Sequence, residues 1–196
     1  MSRQADDITS AMRSLRHAFL IGVEGVTEVW LVRHADVYEK LEDVADPPLS
    51  RLGHQQAERL AQRLRALEIR AVYSSQHRRA LQTAHAFTDR VTIDPRLAEA
   101  RADFAGGKVD ILESPADVVQ RMQAAVDDAV ASHPGGRVVM VTHGIAILSY
   151  LGDILHLAPG TLRLFPDFTS ISVVRVKGDR RMAGSLCDIA HLDASP

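Results

Sequence analysis

One cysteine, Cys187, among 196 residues leaves no internal disulfide to form. No cysteine or histidine spacing matches a structural zinc site. No apolar run approaches the roughly 18 residues that a bilayer crossing needs. The short stretch "AFLIGV" is followed by no small-residue cleavage pattern, so a secretory signal is not expected and a cytoplasmic protein is. Excess charge is missing too. Against 23 Lys and Arg stand 25 Asp and Glu, a net charge of −2. That balance excludes a broad basic field for nucleic acid or an anionic membrane, though it does not constrain the charge of one cleft. There are no internal repeats and no low-complexity linker. With 46% hydrophobic and 24% charged residues, the remaining reading is one globular domain with a real core and at most a short appendage.

The appendage is residues 1–25, and the domain is 26–196. Ile8, Met12, Leu15 and Phe19 recur at helical spacing, so the extension reads as an amphipathic helix whose expected job is packing, with partner contact as the alternative. From Thr27 strands and helices alternate. "TEVWLVRH" reads as a buried strand. "DPPLS" blocks helix until Ser50, a cap for a helix over 51–67 through Leu52, Leu60, Leu64 and Leu67. "RAVYSS" is the next strand, and Ser75 is expected to cap a helix over 76–88. "VTID" reads as a brief strand. Ser114, Pro115 and Asp117 open a helix lined by Val118, Met122, Val126 and Ala129. "RVVMVTH" is a fully apolar strand, residues 145–156 form a helix, and "SISVVRVKGDRRMAGSL" makes a hairpin or two edge strands. The pattern predicts a three-layer α/β/α sandwich around a mostly parallel sheet.

Ligands of open α/β sheets collect beyond the carboxyl ends of the strands. Here the first strand ends in Arg33-His34, the second in Ser74-Ser75 with Arg79 in the following helical turn, and the strand over 137–142 in His143-Gly144. Two arginines and two histidines at one edge suit a dianionic phosphoryl group, because guanidinium forks match its oxygens in pairs. The helix N-terminus after Ser75 is expected to add amide donors. Neighbouring arginines favour the neutral form of a histidine, and a neutral imidazole beside a phosphoryl group is a nucleophile. His34 is the candidate, with His143 opposite. A leaving alkoxide needs a proton, and Glu99, Asp103 and Asp36 are the carboxylates on offer. Of the remaining histidines, His77 is the one expected nearest the site.

These stretches, "LVRHA", "DPPLSRLGHQQAERLAQRL", "VYSSQHRRALQTA", "RLAE" and "VTHGIAI", with "DIAHL" near the end, resemble the histidine phosphatase superfamily, which also holds the cofactor-dependent phosphoglycerate mutases. The resemblance spans roughly residues 27–192. It implies a phosphoglycerate mutase-like fold and makes His34 the phosphohistidine. Arg33, Arg79 and His143 become phosphoryl ligands and Glu99 the proton donor, with no metal and no organic cofactor. Ala35 stands where the family usually has glycine. The serine and asparagine that follow in mutase-like members are replaced within "ADVYEK", and Ala100 stands where mutases carry arginine. Asp103 and Ala105 replace the glycine and aromatic residue of many phosphatases.

The expected activity is therefore a phosphomonoesterase acting on a small phosphorylated substrate, with no nucleic-acid or membrane partner. The rivals are a mutase-like phosphotransferase and a non-catalytic phosphate-binding scaffold. The short segment "ARADFAGGKVDILE" suggests an open mouth, and the acidic run "EKLEDVADPP" a solvated loop, the alternative being a border to the entrance that discourages highly charged substrates.

Overall fold

The computed structural model describes residues 2–38, 46–105 and 108–193. Most of the acidic run lies outside the described residues. The chain forms α1 (Ser2–Ala18), β1 (Thr27–Arg33), α2 (Arg51–Leu64), β2 (Ala71–Ser74), α3 (Arg78–His85) and β3 (Thr92–Ile93). A 3₁₀ turn (Pro95–Leu97) leads to β4 (Ala102–Ala105) and β5 (Lys108–Ile111), which pair as a separate hairpin. Then come α4 (Pro115–Ser132), β6 (Arg137–Thr142), α5 (Gly144–Ile154), β7 (Ile171–Lys177), β8 (Arg180–Ala183) and α6 (Ala190–Asp193).

The main sheet has six strands in the order β3-β2-β6-β1-β7-β8. Its first four are mutually parallel, and β7 and β8 run antiparallel. Side-chain alternation builds two cores from the same strands. Val29, Leu31, Val138, Met140, Val174 and Val176 face the layer of α4 and α5, where Met122, Val126, Ile147 and Leu151 close over them. Val32, Val139, Val141, Ile171 and Val173 face α2 and α3 through Leu60, Leu64, Ala80 and Ala84. Both faces are covered, which is why these strands read as continuous apolar runs. Each fully buried Leu, Val or Met contributes about 1.5–3 kcal/mol by leaving water.

Local signals set the helix starts. Ser50 caps α2 by accepting from the Gly53 amide at 2.9 Å, and Ser114 caps α4 by accepting from Asp117 N at 3.1 Å. Gly53 is obligatory for another reason: a Cβ there would lie 2.0 Å from the Asp36 carbonyl oxygen. The first turn of α2 thus presses directly on the backbone just after His34.

Three expectations need correction. Ser75 does not cap α3. Its hydroxyl lies 2.7 Å from His143 Nε2 and receives only a long contact from the His77 amide at 3.4 Å. The helix starts later, with His77 in the cap position and no side-chain cap bond. The segment after Glu99, expected only to leave an open mouth, carries the paired strands β4 and β5, which the sequence pattern does not predict. Helix α1 is present, yet its described side chains from Ile8 to Phe19 are all exposed, so it does not pack on the domain as expected.

Candidate active site

The carboxyl ends of β1, β2 and β6 bring Arg33, His34, Ser75 and His143 together, and the first turn of α3 adds Arg79. The His34 and His143 rings lie 5.1 Å apart, and His77 meets His143 edge-on at 5.0 Å. Both His34 and His143 are buried, at 5% and 0% exposure.

The tautomer of His34 follows from its partners. Nδ1 lies 2.7 Å from the Ala35 carbonyl oxygen, which can only accept, so Nδ1 carries the proton. Nε2 is left as a lone pair, and Arg79 Nε donates to it at 3.2 Å. Burial pushes the His34 pKa down to about 3; the hydrogen bond to Ala35 opposes this, while Arg79, Arg33 and His77 reinforce it. Burial also holds His143 well below the usual imidazole range, helped by His34, Arg79 and His77.

Arg33 is fixed by groups that the motif does not contain. Its guanidinium carbon stands 4.0 Å from the Phe168 ring centre and 4.8 Å from that of Phe165, and Nη1 donates to the Pro166 carbonyl at 2.7 Å. A planar, weakly hydrated guanidinium suits such a slot, and an ammonium does not. Burial is the main cause of its lowered pKa, with Glu99 and Asp167 opposing. Arg33 Nε and His143 Nδ1 are buried without a partner among the described residues, so both are available to an anion.

Arg79 donates from Nη1 to Asp46 at 3.1 Å, and the same carboxylate accepts from the Arg78 amide at 2.7 Å. The head of α3 therefore already holds an anion, where the strand-end reading expects free amides. Thr83 reaches back from α3 to accept from the Ala35 amide at 2.9 Å, fixing the turn after His34.

Of the three carboxylates that the sequence offers, Glu99 is the one whose charge acts on Arg33, Arg79 and His77 together. Its oxygens accept from Ala146 N at 3.1 Å and Ile145 N at 3.3 Å, at the start of α5, and from Ala100 N at 2.9 Å. Asp36 is instead bonded to the Ser50 hydroxyl at the head of α2. Asp103 is exposed on β4, paired in register with Asp110. Neither rival is brought in as Glu99 is.

Sequence reasoning missed Ser75 as a histidine partner, and also Asp46, Thr83, Phe165 and Phe168. "LFPDF" carried a readable signal, since it holds two of the five phenylalanines in the chain. The others are small polar residues of kinds found on any surface.

Two strand-end histidines and two arginines thus gather at one edge of the sheet. The model of the histidine phosphatase superfamily, branch 1, matches residues 29–110 and 100–188. The chain belongs to that superfamily of enzymes. A Yersinia enterocolitica protein named probable phosphoglycerate mutase GpmB is 29% identical over 204 aligned residues, covering 85% of this chain and 95% of that one. Bacillus stearothermophilus YhfR superposes with a TM-score of 0.73 at 24% identity, over 85% of this chain and 99% of its own. A mutant phosphoserine phosphatase of Entamoeba histolytica, solved with phosphoserine, gives 0.72 at 20% identity over 85% and 99%. These likenesses establish the phosphoglycerate mutase-like fold.

The buried neutral histidines tie the site to stability. His34, His143 and His191 all have folded-state pKa values below the ordinary 6.5, with His191 lowered to about 4 by burial and by Arg63. The unfolded chain binds more protons than the folded one between those values. Stability is therefore fully present above pH 6.5 and falls as pH drops toward about 4 and then 3. Urea unfolding midpoints measured from pH 7.5 to pH 4 are expected to decline steadily below pH 6.5. A flat profile would contradict the buried neutral state.

Proposed function

We propose that this protein is a phosphomonoesterase that hydrolyses small phosphate monoesters through a phosphohistidine on His34. The observation that carries the reading is the Nε2 lone pair, held unprotonated by the Nδ1–H bond to Ala35 and standing among Arg33, Arg79 and His143. Nε2 attacks phosphorus in line, the P–O bond to the alcohol breaks, and the protonated Glu99 carboxyl supplies the leaving oxygen with its proton. Water then attacks the phosphohistidine, the Glu99 carboxylate takes its proton, and the P–N bond returns its electron pair to the ring. Arg33, Arg79 and His143 hold the equatorial oxygens, so the rate comes from placement and charge stabilisation.

A mutase-like transfer is the second reading, favoured by the names of relatives such as the Yersinia protein. Against it stand Ala100 after the acid and the missing serine and asparagine after His34. The two readings separate by product analysis with 3-phosphoglycerate. Inorganic phosphate is expected as the main product, with little conversion to 2-phosphoglycerate. Isomerisation faster than phosphate release would reverse the assignment.

A further inference from the structure

Helix α1 raises a physical problem. It has 17 residues, and every described side chain from Ile8 to Phe19 is exposed. Ile8, Met12, Leu15 and Phe19 lie on one face, 60%, 53%, 51% and 50% exposed. An isolated helix of this length is marginal in water, and an apolar stripe is stable only against a second surface. Its root is fixed. Arg180 donates to the Ala18 carbonyl at 2.6 Å, and Leu20 beyond it is 1% exposed. The stripe is thus held off its own domain.

The same molecule has a matching surface. A groove of about 880 Å³ runs between α4 and α5, closed at one side by residues 157–162. Val119, Leu148, Leu157 and Leu162 give it an apolar lining. Glu113, Asp127 and Asp153 stand at it; Arg121 and Arg181 pair with the first two, which leaves Asp153 as the lining carboxylate without an ion pair among the described residues. Helix α1 carries the opposite charge beside its stripe, in Arg13 and Arg16. The lengths agree: α1 is about 26 Å long, and the 18-residue α4 wall is about 27 Å.

We infer that α1 of one copy docks in the α4/α5 groove of a second copy, giving a dimer with two reciprocal helix-in-groove contacts. The apolar stripe supplies the anchors at helical spacing, and the Arg13–Arg16 side of the helix meets Asp153. Exchange of a terminal helix between protomers closes the assembly at two copies.

The test uses the full chain and light scattering after gel filtration at micromolar concentration. The wild type is expected at twice 21.5 kDa. Met12→Asp puts a charge in the stripe, and Gly152→Arg wedges the groove. A Cβ at Gly152 meets nothing within 4 Å, so the monomer accommodates that change. Each variant alone is expected at the monomer mass. An equimolar mixture regains a species of twice that mass, because one intact helix and one intact groove remain. A monomeric wild type overturns the inference, including one that instead sediments with anionic vesicles. So does a Gly152→Arg variant that stays dimeric while Met12→Asp does not, since that pattern means the stripes pair with each other.

Discussion

Replacing His34 with alanine is expected to lower kcat at least ~10⁴-fold, the scale on which removal of a covalent nucleophile is felt. Nothing else at the edge can take its place. His143 lies 5.1 Å away ring to ring, with Nε2 engaged by Ser75. His77 is only partly buried and packs edge-on against His143. The anion ligands survive the change, so inorganic phosphate affinity measured by calorimetry is expected to shift by less than about tenfold. Acid-quenched samples with labelled substrate lose the acid-labile phosphoenzyme in the variant and show it in the wild type. Turnover within tenfold of wild type would remove His34 from the mechanism. A wild type that binds phosphate without hydrolysis or label would make the protein a scaffold.

Glu99→Gln gives the second large effect, and its size is expected to depend on the leaving group. With an alkyl phosphate, whose alkoxide cannot depart unprotonated, kcat/KM falls about 10²–10⁴-fold. With nitrophenyl phosphate the phenolate leaves without help, and kcat/KM falls by less than about tenfold. Deacylation has its counterpart here: loss of the base slows water attack, so phosphohistidine accumulates and a burst precedes a slow steady state. The contrast separates chemistry from packing. Glu99 also accepts from amides at the start of α5, and damage there would depress both substrates equally. Equal losses would assign Glu99 to the scaffold of the site.

Much of this was legible in the chain because strand ends are legible. β1 and β6 are apolar runs that stop abruptly at Arg33-His34 and Thr142-His143, and the α/β rule puts both tips at one edge. The alternation that divides Val29 and Leu31 from Val32 is backbone geometry, so it follows once the strand is known. What stayed hidden depends on approach between distant segments. Asp46 reaches Arg79 across 33 positions, Thr83 reaches Ala35 across 48, and Phe168 arrives at Arg33 from beyond α5. No local pattern encodes such meetings. Ser75 shows the same competition in miniature. Its position favours a helix cap, yet a buried histidine nitrogen needs its hydroxyl more, and the helix begins two residues later. The exposure of α1 was hidden for a related reason, since periodicity reports that a face is apolar and not what will cover it.

β1 has neighbours on both flanks, parallel β6 and antiparallel β7, each in register along nearly its whole length. Its amides therefore belong to the last region of the molecule to exchange with deuterium, whereas the two-residue β3 and the outer β8 can open by themselves. The imidazole proposed to meet phosphorus is tethered to the slowest-breathing part of the protein, so partial unravelling at the rim leaves its aim unchanged.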